Sequence, residues 1–214
     1  MLSFLHKNPK FLLRNFSKSL MLIRHGESIG NAKLPINCTY LEYPLTSLGE
    51  KQAKLIAESI KKRPSLIVSS PFKRALDTAK PLLVRFPNTV LSIDARLSAF
   101  EYLSSEYYTE KRYTRGEAIK QYWEAQDPFL VMGKNAESFS DFYNRTKSFF
   151  DWFENSKDIN GLVVGFTHAM SLRMLEMHMN GKLPSDVKKA FLAYSENRKT
   201  RKIRNCEVVE WKIK

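Results

Sequence analysis

The sequence predicts an α/β fold, a three-layer α/β/α sandwich around a mostly parallel sheet, and three observations predict it. Short apolar runs break off at polar residues, as buried strands do at their C-terminal edges. Between them lie helix-period segments that open on capping residues. The two kinds alternate along the chain, and such alternation argues for parallel strands covered by helices on both faces. A chain of 214 residues fits one medium domain that can bury well over half of its unfolded surface. Its 43% hydrophobic and 27% charged residues are ordinary globular values, which excludes a disordered chain.

The first strand is the apolar run 20–23, which stops at Arg24-His25-Gly26. Polar residues delivered at such an edge stand where open α/β sheets bind ligands. After a loop with Pro35 and Pro44, Ser47 and Glu50 form a capping-box pattern. It opens a helix with apolar Leu48, Leu55, Ile56 and Ile60 that should end near Arg63-Pro64. Residues 66–68 read as a short buried strand. In the Ser69-Ser70-Pro71 that follows, Ser70 can cap and Pro71 can take the first helical position. Arg74 then falls in the first helical turn. Pro81 should bend or end that helix, and 89–93 is a β-branched strand. Asn160-Gly161 and the run 162–165 repeat the device, ending at Phe166-Thr167-His168 before a helix that stops at Gly181. Two histidines thus stand at two strand ends.

Residues 97–137 differ in character, being rich in aromatic side chains without clean periodicity. They read as an excursion from the sheet, a subsidiary helical layer, a lid or specificity wall over the site, or both at once. From Phe139, the set Phe142, Tyr143, Phe149, Phe150 and Phe153 follows helical spacing and reads as core. Residues 206–213 close the chain as a strand. No repeat or linker suggests a second domain, so 21–214 form the domain, preceded by a basic, acid-free arm over 1–20. That arm reads equally as a targeting segment or as the product of a wrongly chosen start, since Met21 precedes the first convincing strand.

The net charge of +13, from 35 Lys and Arg against 22 Asp and Glu, favours anionic, phosphate-bearing substrates. No binding motif or stacking platform accompanies the charge, so no nucleic-acid partner is expected. The only cysteines, Cys38 and Cys206, form neither a disulfide framework nor a zinc pattern. A cytoplasmic location follows, with organelle targeting through 1–20 as the alternative. No apolar run is long enough to span a membrane, and nothing sets an oligomeric state.

The most specific feature is Arg24-His25-Gly26-Glu27-Ser28 placed straight after a strand. With it come Asn31, Leu45-Thr46 through Gly49 to Gln52-Ala53, Ser69-Ser70-Pro71 with Arg74 and Thr78-Ala79, and Thr167-His168. In this order, from about Met21 to the C-terminus, the chain resembles the histidine phosphatase superfamily, the phosphoglycerate mutase-like proteins. The resemblance implies a phosphomonoester hydrolase that works through a phosphohistidine without metal or organic cofactor. It implies His25 and His168 as catalytic residues and Arg24, Asn31, Arg74 and Thr167 as phosphate ligands.

The residue types support those roles. Phosphoryl transfer needs rigid positive donors around the equatorial oxygens and an in-line nucleophile. Arg24 and Arg74 offer planar donor forks that stay charged. A neutral imidazole attacks phosphorus without prior deprotonation, which suits His25. His168, expected protonated, would donate to the phosphoryl oxygens, and Asn31 would add a neutral donor. His6 and His178 receive no role.

The general acid is the weak point. Relatives usually carry Glu two residues after a Leu behind the third strand, and matching on Leu97 puts Ala99 there. Glu101 is the first candidate, because in an extended segment it faces the same side as Ala99, and Glu106 is the next. Ala136-Glu137-Ser138 resembles a further family landmark, usually with Gly at the first position, and Glu137 reads there as a helix N-terminal or loop-anchoring residue. A phosphatase is preferred over a mutase because the segment after Leu97 lacks the Leu-Asn-Glu-Arg-His-Tyr-Gly type of run. The acid phosphatase and phytase branch is disfavoured by Glu27-Ser28-Ile29 after the His-Gly pair and by Ala169 after His168. The rival from another class is a phosphate-binding or scaffolding pseudo-phosphatase with weak turnover, supported by Ala99. The basic run 198–204 reads as a solvated turn or, second, as a steering patch for polyanions.

Overall fold

The computed structural model describes residues 18–104, 107 and 112–212, so most of the 1–20 arm and Glu106 lie outside the described residues. The sheet contains β1 (Lys18–Arg24), β2 (Leu66–Ser69), β3 (Leu91–Ile93), β4 (Gly161–Thr167) and β5 (Val208–Lys212). Their order is β3-β2-β4-β1-β5, parallel except for β5, which runs against β1. The helices are α1 (Ile29–Ala32), α2 (Ser47–Ser59), α3 (Lys73–Arg85), α4 (Arg112–Glu124), α5 (Phe139–Asn155), α6 (Ala169–Met179) and α7 (Val187–Thr200).

The central strands are continuous Leu, Ile and Val runs because both of their faces are covered. Alternate residues of each strand serve opposite layers. Leu22 and Val163 pack with Phe149 and Phe153 of α5 and Leu172 and Leu175 of α6. Their neighbours Ile23 and Val164 pack with Ala57 of α2 and Ala75, Ala79 and Leu82 of α3. The aromatic excursion builds a third cluster, in which Phe100, Tyr122 and Trp123 join Phe139, Phe142, Phe191 and Tyr194. It is a subsidiary helical layer with its own core.

Several local expectations are corrected. β1 begins at Lys18, upstream of the apolar run, because backbone pairing with β4 continues to Lys18 and Gly161 regardless of side-chain polarity. Thr46, not Ser47, caps α2, its hydroxyl accepting from the Gly49 N–H at 3.1 Å. The buried face of α2 is the small set Gly49, Ala53 and Ala57, while Leu48 and Leu55 are 51% and 65% exposed. Small residues allow α2 to come close to its neighbours, and that contact outweighs the larger apolar side chains. α3 starts at Lys73 behind Phe72, so Pro71 lies outside it, and it continues through Pro81 to Arg85. Burial of Ala75, Thr78, Ala79 and Leu82 outweighs the hydrogen bond that Pro81 removes. The basic run is no single turn, since Arg198, Lys199 and Thr200 form the last turn of α7.

Candidate active site

Strand register assembles the site. Arg24 of β1 pairs with Thr167 of β4, so the next residues, His25 and His168, leave adjacent parallel strands at one level. Their ring centroids lie 5.1 Å apart. Both histidines, with Arg24, Asn31 and Arg74, line a cavity of about 220 Å³, to which Tyr40, Tyr43, Ala99, Phe100 and Arg115 also contribute.

His25 is buried, and its Nδ1 lies 2.6 Å from the Gly26 carbonyl oxygen. A carbonyl can only accept, so Nδ1 carries the hydrogen and Nε2 keeps its lone pair. Burial, then the guanidiniums of Arg74 and Arg24, hold this imidazole well below the usual histidine range. The ring is therefore an unprotonated nucleophile at neutral pH. The turn that carries it docks on the start of α2. The Thr46 N–H donates to the Glu27 carbonyl, and the Glu27 N–H donates to Gln52 Oε1, both at 2.9 Å. A Cβ on Gly49 would stand 2.0 Å from the Glu27 carbonyl oxygen, so only glycine permits this approach.

Arg74 is 2% exposed, its guanidinium carbon 4.5 Å from the ring centroids of both Tyr40 and Phe72. Nη1 donates to the Tyr40 carbonyl at 2.8 Å, so the head is clamped rather than mobile. Arg24 donates from Nη1 to the Ile203 carbonyl at 2.7 Å, and its buried Nε has no partner among the described residues. The Asn31 Oδ1 accepts from the Ser28 N–H and hydroxyl and from Asn205 Nδ2, leaving its own Nδ2 to donate. Thr167 is not brought to the cavity. Its hydroxyl donates to the Leu97 carbonyl at 2.7 Å, on the side of the strand away from the next residue.

His168 departs from expectation in its charge. Burial first, then Arg74, His25, Arg145 and Arg24, hold it well below the ordinary range, so without an anion it is neutral, not protonated. Its Nε2 lies 2.8 Å from the Ser70 hydroxyl. Among the described residues, the buried Nδ1 has no partner.

The acid position is equally informative. Ala99 lines the cavity, Glu101 does not, and among the described residues no carboxylate appears in the lining. The loop is pinned by Arg145, which donates to the carbonyls of Arg96, Ser98 and Ala99 and forms an ion pair with Glu137. Glu137 is thus a loop anchor, and its N–H fixes the Glu101 carbonyl at 2.9 Å. Glu101 is partly buried. Burial raises its carboxyl above the usual range against the pull of Arg74 and Arg145, with Glu137 reinforcing the rise. Among the described residues, no cluster of three His, Cys, Asp or Glu is placed to hold a metal ion, and no helix is long and apolar enough to cross a membrane.

Sequence reasoning missed Tyr40, Tyr43, Arg115, Ser70 as a histidine partner, and the 203–206 brace. In that brace Asn205 Nδ2 donates to the His25 carbonyl at 3.0 Å, and the Cys206 N–H donates to the Arg24 carbonyl at 3.1 Å. No periodicity marks these residues, because they reach the site from loops and from α4. Ser70 stands in the Ser69-Ser70-Pro71 motif, whose sequence pattern indicates a helix cap rather than a histidine partner.

A family model, histidine phosphatase superfamily (branch 1), matches residues 20–206. The Hydrogenobacter thermophilus protein named "Putative phosphoserine phosphatase 2" is 34% identical over 160 residues, 72% of this chain and 76% of that one. Glucosyl-3-phosphoglycerate phosphatase of Mycolicibacterium vanbaalenii is 44% identical over 81 residues, 37% of this chain and 35% of that one. Among solved structures, a mycobacterial glucosyl-3-phosphoglycerate phosphatase aligns with a TM-score of 0.66 at 22% identity, covering 91% of this chain and 89% of the other. A phosphoserine phosphatase of Entamoeba histolytica, in complex with 3-phosphoglyceric acid, aligns with a TM-score of 0.64 at 18% identity, covering 90% and 89%. At these identities the structural likeness speaks to fold alone.

Proposed function

The chain belongs to branch 1 of the histidine phosphatase superfamily and is a phosphomonoesterase of that family, and from this premise we propose that it hydrolyses a small phosphorylated metabolite through a phosphohistidine at His25. The observation that carries this reading is the pair of buried histidines at register-matched strand ends, with His25 Nε2 unprotonated beside two clamped arginines.

His25 Nε2 attacks phosphorus as the bond to the leaving oxygen breaks. Arg24, Arg74, Asn31 and His168 hold the three phosphoryl oxygens where negative charge gathers. Glu101 gives its proton to the leaving oxygen. Water then attacks the phosphohistidine, the N–P bond breaks, inorganic phosphate departs, and Glu101 recovers a proton from that water. Burial of Glu101, which raises its carboxyl against the pull of Arg74, supports this role, with the carboxyl reaching past Ala99.

The natural substrate bears a second acidic group. Arg115 on the cavity wall supplies a third guanidinium beyond those of Arg24 at the end of β1 and Arg74 in the first turn of α3. Relatives named for phosphoserine and for glucosyl-3-phosphoglycerate act on phosphomonoesters of that chemistry. The cavity of about 220 Å³ suits a small molecule.

Hydrolysis of an aryl and an alkyl phosphate by the native chain, His25→Ala and Glu101→Gln tests the mechanism. His25→Ala should lose at least about 1,000-fold in kcat. Glu101→Gln should lose far more on the alkyl ester, whose poor leaving group needs the proton. Equal rates for native and His25→Ala protein would sink the catalytic reading and leave a phosphate-binding scaffold.

A further inference from the structure

We propose that Ser70 fixes the hydrogen of the His168 imidazole on Nδ1, making that nitrogen a donor to the phosphoryl oxygens. The proposal rests on the reading of the cavity as a phosphoryl site. It assigns Ser70 a positioning role and gives His168 a protonation pattern different from the imidazolium its place in the site first suggests.

Ser70 is fully buried, so its hydroxyl must be satisfied within the protein. The Phe72 N–H donates to Ser70 Oγ at 3.3 Å, so the oxygen already serves as an acceptor. The other neighbour is His168 Nε2 at 2.8 Å. If Nε2 carried the hydrogen, the Ser70 hydroxyl hydrogen would have no acceptor. Nδ1 would then present a bare lone pair in a cavity built for anions. The opposite tautomer settles both atoms: Ser70 donates to Nε2, and Nδ1–H is left to meet the ligand. The orphaned Nδ1 is buried, and the residue is 3% exposed. A buried donor without a partner is costly in the empty protein and is satisfied once an anion arrives.

The backbone explains why Ser70 is available. β2 ends at Ser69, and the Ser70 N–H donates to the Phe166 carbonyl of β4 at 3.0 Å, which carries Ser70 alongside the end of β4 where His168 emerges. α3 begins only at Lys73, so the hydroxyl is not used as its N-cap. Phe72 closes the arrangement, its ring 4.9 Å from that of His168 in an edge contact. The two histidines then carry their hydrogen on the same ring position but turn opposite atoms to the ligand. His25 offers a lone pair and His168 an N–H.

The test is imidazole nitrogen NMR of the ligand-free, full-length chain at pH 7, with His25→Ala and His168→Asn variants assigning the signals. His168 should show a protonated Nδ1 and an unprotonated Nε2, and inorganic phosphate should shift the Nδ1 proton downfield. Ser70→Ala should broaden or reverse this pattern and lower kcat roughly 10-fold to 100-fold. Ser70→Thr, which keeps the hydroxyl, should restore both. A hydrogen on Nε2, or on both nitrogens, in the native protein would overturn the proposal. That outcome is read without turnover, so it stands apart from any failure of the phosphatase reading. Should Ser70→Ala fail to fold, the native spectrum and the phosphate shift decide alone.

Discussion

At the scale of residues, the cavity separates two tasks that the family motif presents together. Arg74, His25 and His168 are buried and Arg24 is half-buried, and each is held by a protein partner before any ligand arrives, so the phosphoryl-accepting half of the proposed reaction is preorganised. Among the described residues the proton-donating half is not, because Ala99 occupies the wall while Glu101 stands outside the lining. Ala99→Glu should therefore raise kcat on an alkyl phosphate by about 10-fold or more while changing the aryl phosphate rate little, the usual scale for an added general acid. Steady-state rates on the two esters check this, and a fall on both would mean the loop pinned by Arg145 cannot accept the carboxylate. Arg115→Ala should raise KM for a carboxylated phosphomonoester roughly 10-fold to 100-fold and leave KM for an aryl phosphate nearly unchanged, since one charge-assisted contact contributes about 1.5–3 kcal/mol. Equal effects on both substrates would remove Arg115 from substrate recognition. The strand-end residues were legible because each sits in a short motif behind an apolar run. Tyr40, Arg115 and Asn205 were not, because their places depend on how loops fold back across the sheet edge.

Among the elements, the joints between helix ends and strand ends matter most. Lys18, from the arm that the sequence left undecided, sends its ammonium to the carbonyls of Phe153, Glu154 and Ser156 at 2.6, 2.8 and 2.9 Å. These belong to the end of α5, where unpaired carbonyls and the helix dipole both favour a cation. Lys18→Met keeps the aliphatic stem and removes the charge, and should cost about 2 kcal/mol of stability, seen as a lower Tm with kcat unchanged. An unaltered Tm would mean water replaces the ammonium at no cost. The same logic explains where element boundaries departed from the sequence pattern. Strand ends follow backbone pairing, and a helix start can follow a free hydroxyl. Thr46 was free to cap α2, whereas the Ser70 hydroxyl is turned to His168 and α3 begins later.

For the molecule as a whole, stability and charge pull in different directions. His178, assigned no chemistry, packs between the rings of Tyr143 and Phe150, and burial with help from Lys147 lowers it to about 4. In the unfolded chain the same group titrates near its ordinary value, so between that value and about 4 the unfolded state binds the extra proton. Stability that is fully present above about pH 6.5 is therefore lost as pH falls toward 4, by on the order of 3 kcal/mol. Thermal melts across this window should show the decline, and His178→Leu should flatten part of it; a variant with an unchanged slope would show that other groups carry the acid sensitivity. By itself the sequence determined the layer architecture, the strand-end placement of His25 and His168 and the phosphate chemistry, because hydrophobic period and short motifs are local properties of the chain. Only the tertiary structure decided the protonation of the two histidines, the displacement of Thr167 and Glu101 from the cavity, and the arrival of Arg115 and Asn205. Those outcomes depend on burial and on hydrogen-bond partners far apart in sequence, which no local pattern encodes.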